Sequence, residues 1–185
     1  MEFIVNNITH IMQGITIIVM IWGILVAKRQ LSHLRTEAEN QYKWSKRKYA
    51  MSYSLSNSES FRQARSNLEK AFCIFNTETS VLTMDEIEKV TKNEPSIHAD
   101  ILYVLAHWEN MALAIKEEIA DEEVAFEMVA TTLILFTDVF KEFIEQRHEQ
   151  TGGRAYEYLL QLSDKWDAKL SKAKRKKQRR WFQWW

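Results

Sequence analysis

Between Glu2 and Lys28 the chain contains no Asp, Glu, Lys or Arg, and Lys28-Arg29 follow at once. The stretch Ile8 to Ala27 has the length of a membrane span, since about 20 residues at ~1.5 Å each cross a hydrocarbon core of roughly 30 Å. A secretory signal would carry its positive charge before the apolar run and small residues after it. Here Met1-Glu2-Phe3 precede the run, and the basic cluster Lys28, Arg29, Arg35, Lys43, Lys46, Arg47 and Lys48 lies behind it. The positive-inside rule then predicts a single-pass anchor with its N-terminus outside and its body in the cytoplasm.

Four Gly and one Pro among 185 residues exclude a loop-rich β protein. The expected fold is all-α: a transmembrane helix continuing into a stem, then a cytoplasmic helical bundle. The expected divisions are 1–27 for the anchor, 28–53 for a basic helical stem, 54–170 for the bundle and 171–185 for a basic and aromatic tail. Within the bundle, Ser54 to Ser58 breaks the first helix. A second helix, about Glu59 to Phe75, follows with Phe61, Ala64, Leu68, Ala71, Phe72 and Phe75 inward. Thr83 with Glu86 has the spacing of a capping box. Pro95-Ser96 opens a helix with Ile97, Ile101, Val104, Leu105, Trp108, Ala112 and Ile115 on its inner face. Asp121 caps a helix expected to reach Gln150 unbroken, and Gly152-Gly153 ends it. The last helix has Ala155, Leu159, Leu162, Trp166 and Leu170 on its apolar face. Cys73, the single cysteine, is expected to be a buried thiol between Phe72 and Ile74, and it rules out an internal disulfide.

The formal net charge of zero hides an asymmetry. Residues 49–170 carry 11 Lys or Arg against 22 Asp or Glu, while residues 171–185 carry seven Lys or Arg and no acid. An acidic body makes direct nucleic-acid binding an unfavourable expectation, because phosphates need basic neighbours. The basic ends fit anionic lipid headgroups, so Lys28, Arg29, Trp181, Trp184 and Trp185 are the expected membrane-interface residues.

In the apolar run, Asn6, Gln13 and Met20 are spaced by seven, as are Thr9, Thr16 and Gly23. Both sets lie on one face of a helix. Polar groups at membrane depth face another helix or water. The stripe therefore predicts a homo-oligomer, a ring of anchors around a seam or a pore.

The chemistry expected of the body is sparse. No Gly-rich phosphate loop, nucleophile elbow or HExxH occurs, and Glu145-Gln-Arg-His148 lacks the second Glu-x-x-His that a di-iron bundle requires. No metal or cofactor is expected. His107, Glu109, Arg147 and His148 form a candidate buried polar cluster, in which Glu109 needs a partner such as Arg62, Arg65 or Arg147.

Three segments carry a resemblance: Met12 to Arg29, His107-Trp-Glu-Asn110, and Arg147-His-Glu-Gln-Thr-Gly-Gly-Arg154. With the overall outline, they resemble the small anchored accessory protein of type VI-B CRISPR systems and, more broadly, bacterial anchored helical domains. The resemblance implies a HEPN-like body and assembly into an inner-membrane pore. It also implies a functional link to an RNA-guided RNA-cutting effector in antiviral defence. HEPN nucleases carry Arg, four to six residues, then His. Here Arg29 and His33 are separated by three residues, Arg147 adjoins His148, and His148 to Arg154 runs in the reverse order. The expectation is therefore a non-enzymatic, pore-forming protein. A membrane-tethered RNase using Arg147, His148 or Arg154 is the alternative, and a membrane adaptor is the third possibility.

Overall fold

The computed structural model describes the backbone of residues 2–54, 58–75 and 81–182, and the side chains of residues 16, 18–54, 58–75 and 81–174. Seven α-helices occur among these residues: α1 (Glu2–Ser52), α2 (Glu59–Phe72), α3 (Met84–Asn93), α4 (Pro95–Lys116), α5 (Glu122–Val139), α6 (Lys141–Gln150) and α7 (Glu157–Phe182). The chain forms two compact units, Met1–Trp44 and Ser45–Trp185.

The first unit is helix α1 as far as Trp44. Among the described residues no helix is long and apolar enough to cross a membrane. This overturns the transmembrane anchor. With it go the single-pass inner-membrane topology, the pore and the lipid partners. The anchor ring and its link to an RNA-cutting effector lose their basis in the same way. The side chains of Asn6, Thr9 and Gln13 lie outside the described residues. Thr16, Met20 and Gly23 are exposed, as are Ile18 and Trp22 on other faces, so burial does not single out a stripe. Lys28 and Arg29 are exposed on the helix. The side chain of Trp181, and all of Trp184 and Trp185, lie outside the described residues.

The second unit is a helical bundle assembled around α4, which packs against α2, α3, α5 and α7. Its inward residues match the period of the sequence. Ile97, Ile101, Val104, Leu105, Trp108, Ala112 and Ile115 are all buried, as are Phe61, Ala64, Leu68 and Phe72 of α2 and Leu159, Leu162 and Trp166 of α7, while Ala71, Leu170 and Ala155, which precedes α7, are half-buried. Local chemistry fixes the helix starts. The Ser58 hydroxyl accepts from the Phe61 amide at 3.3 Å. The Thr83 hydroxyl accepts from the Glu86 amide while the Glu86 carboxylate accepts from the Thr83 amide, a complete capping box. Asp121 accepts from the amides of Glu123 and Val124, both at 3.1 Å.

Three further expectations differ from the fold. Phe75, expected inward on the second helix, is exposed beyond the end of α2 at Phe72. The helix after Asp121 is interrupted at Phe140, so α5 and α6 are separate elements. Three residues earlier, the buried Thr137 hydroxyl donates back to the Leu133 carbonyl at 2.9 Å, a bond that bends helices. The bend lets the fully buried Phe140 meet Phe72 edge-on, with ring centroids 5.5 Å apart. Cys73 is exposed rather than buried. It caps α2 in the left-handed conformation, φ 51°, between the buried Phe72 and Ile74.

Candidate functional site

Glu109 is the most constrained carboxylate of the expected polar cluster. It sits on α4 where the N-terminus of α7 arrives, and accepts from the amides of Leu159 at 2.7 Å and Tyr158 at 3.4 Å. The first amides of a helix have no intrahelical acceptor, so Glu109 supplies from another helix what an N-cap would supply from the same one. Burial pushes its carboxyl above the usual range, against the two amide bonds and the charge of His148, which lower it. None of Arg62, Arg65 or Arg147 is its partner. Arg62 pairs with Glu59, and Arg65 pairs with Glu69 at 2.9 Å.

His148 and His107 do different work. The Ala155 carbonyl can only accept, so His148 Nδ1 carries the proton and donates to it at 2.8 Å. Gly152 and Gly153 make the turn that brings this carbonyl back, with φ of 65° and 83°. His107 faces away from this corner. Its ring lies on Phe61 at 4.1 Å and meets Tyr53 and Trp108 at their edges, each at 5.2 Å. Burial holds its imidazole below the usual range, against a backbone hydrogen bond at Tyr53. The fold therefore places Glu109 and His148 within electrostatic reach of each other and sends His107 into an aromatic wall. Among the described residues, no group of three or more His, Cys, Asp or Glu could hold a metal ion.

Arg147 is the member of the cluster that faces open space. It stands on α6, one turn beyond Phe143, with its guanidinium carbon 5.5 Å from the centre of that ring. One nitrogen of its fork faces His98 Nε2 on α4 at 3.5 Å, the outer limit of a hydrogen bond. A guanidinium has no acceptor, so His98 presents a bare nitrogen there. Among the described residues no carboxylate forms an ion pair with Arg147. Arg147 and His98 line a cleft of about 280 Å³ between α3, α4 and α6, together with Met84, Ile87, Glu88, Thr91, Phe143, Gln146 and Gln150.

The sequence did not point to this cleft. His98 lies 49 residues from Arg147, and no local pattern joins them. The signal that was available is the Phe143–Arg147 spacing of four on a helix, which places a guanidinium over a ring. The RNase alternative rested on Arg147, His148 or Arg154. Arg147 turns toward His98 and His148 toward Ala155, while Arg154 is exposed in the loop after Gly153.

The chain belongs to the family described as Domain of unknown function (DUF4760), whose model matches residues 10–166 and so includes the whole cleft. This match carries no link to CRISPR systems or to HEPN domains. No curated protein and no solved structure matches the chain.

Proposed function

We propose that this member of the DUF4760 family is a non-catalytic recognition module, and that the cleft between α3, α4 and α6 is where it meets its ligand. One observation carries the proposal. The constrained charged groups of the bundle interior are held by the fold, whereas Arg147 opens onto a cleft whose one lining carboxylate, Glu88, pairs with Lys92 instead. Glu109 holds the start of α7, and Glu122 accepts from Trp166 at 3.2 Å and from Lys165 at 2.7 Å. Burial alone would raise the Glu122 carboxyl, but those two hydrogen bonds and the charges of Lys165 and Lys169 hold it below the usual range. Groups tied into helix starts and core rings are poorly placed for proton transfer, which needs a group within reach of a substrate. A half-buried guanidinium with free N–H groups is well placed for binding.

The test is an amide chemical-shift titration of the full chain with a panel of small carboxylates, amines and neutral amides. At least one class should move the amides of residues 84–91 and 143–150 saturably and be recovered chemically unchanged. Conversion of the bound compound, or saturable shifts confined to other helices, would refute the proposal.

A further inference from the structure

The geometry points to a carboxylate with an apolar body as the ligand of this cleft, a deduction that rests on the cleft being the recognition site. Three features select it. The first is the shape of the cation. Arg147 lays one face toward Phe143, which leaves the edge of the guanidinium fork for a ligand. A planar fork matches a planar carboxylate through two parallel N–H···O bonds, the strong geometry for this pair. The contact with His98 at 3.5 Å is weak enough to be displaced or shared.

The second feature is the balance of charge. Glu88 lines the same cleft, and the Glu142 carboxylate lies beside it, accepting from the Met84 amide at 3.0 Å. Arg147 supplies one positive charge against these. Glu88 itself is paired with Lys92 at 3.0 Å on the exposed side of α3. A monoanion gains from Arg147 without strong repulsion from Glu88, whereas the second charge of a phosphate at neutral pH does not. The third feature is the remainder of the lining. Met84, Ile87 and Phe143 offer apolar contact, and the amides of Gln146 and Gln150 can each donate and accept. That combination suits the body of an acylated amino acid or a similar small organic acid more than a bare inorganic anion.

The experiment uses the full chain and three probes in thermal-shift and calorimetric titrations: N-acetyl-leucine, its neutral amide N-acetyl-leucinamide, and inorganic phosphate at matched ionic strength. The acid should stabilise saturably, and the amide and phosphate should bind at least about tenfold more weakly, the equivalent of one charge-assisted hydrogen bond. Arg147→Met, which keeps an apolar stem over Phe143, should abolish the preference for acid over amide. Arg62→Met should leave it intact. Glu88→Gln should tighten the acid by about twofold, the scale of one screened surface charge. A gain of affinity of this kind does not arise from a damaged fold. Equal binding of acid and amide would overturn the carboxylate assignment while leaving a recognising cleft, and so would tighter binding of phosphate. Binding of the acid that survives Arg147→Met would overturn it too. Absence of any saturable effect from all three probes would overturn the assignment, and with an empty amide titration it would take the recognition proposal with it.

Discussion

Trp108 on α4 and Trp166 on α7 are both fully buried, yet replacing each by phenylalanine should have opposite polar consequences. The Trp166 indole N–H donates to Glu122 at 3.2 Å, and its ring meets Phe126 edge-on at 5.5 Å. The Trp108 indole nitrogen is buried without a hydrogen-bond partner in the protein. Shrinking indole to phenyl costs about 1–2 kcal/mol of packing at either site. At Trp166 the change also removes a bond to a charged acceptor, for which the lower figure of about 1.5 kcal/mol is appropriate because Glu122 is partly exposed. At Trp108 the change instead removes an unsatisfied donor, returning about 1 kcal/mol. The two variants should therefore differ by about 2.5 kcal/mol, with Trp108→Phe the more stable. For a chain of this size that is a separation of roughly 5–10 °C in Tm. Differential scanning calorimetry of the two full-length variants at one pH measures it. Melting points within about 2 °C of each other, or a larger loss for Trp108→Phe, would refute the assignment of one paired and one orphaned indole.

The same packing makes three further predictions. Glu109 has a raised carboxyl, so its contribution to stability is fully present below the ordinary carboxylate range and is lost as pH rises through its folded value. Melting curves across pH should show Glu109→Gln gaining on the parent over that rise, and parallel pH profiles would contradict the burial argument. Asp121→Ala should cost about 1–2 kcal/mol in chemical denaturation, because two amides at the start of α5 lose their acceptor, while Asp121→Asn should recover most of it. Gly153→Ala should destabilise by about 1–2 kcal/mol through its left-handed backbone, φ 83°, since a Cβ there meets nothing closer than His148 at 3.6 Å. An unchanged Tm for that variant would show that the turn relaxes freely.

The helices of the bundle were legible in the sequence because their causes are local. Thr83 and Glu86 are three residues apart and cap α3 as their spacing predicts, and the inner face of α4 follows its apolar period residue by residue. The apolar run before Lys28 was equally visible, but among the described residues no helix is long and apolar enough to cross a membrane. The break at Phe140 was hidden because it depends on where a buried threonine points its hydroxyl.

The polar cluster shows the limit most clearly. Sequence alone could say that Glu109 needed a partner, and it offered arginines because charge was all it could weigh. The tertiary structure gave Glu109 the amides of α7, 49 and 50 residues away, and gave Arg147 a histidine 49 residues away instead of a carboxylate. Helical period and capping are set by neighbours within one turn, so the sequence determined them. Which side chains face each other across a cleft depends on how α3, α4, α6 and α7 cross, and that is decided by the packing of the whole core.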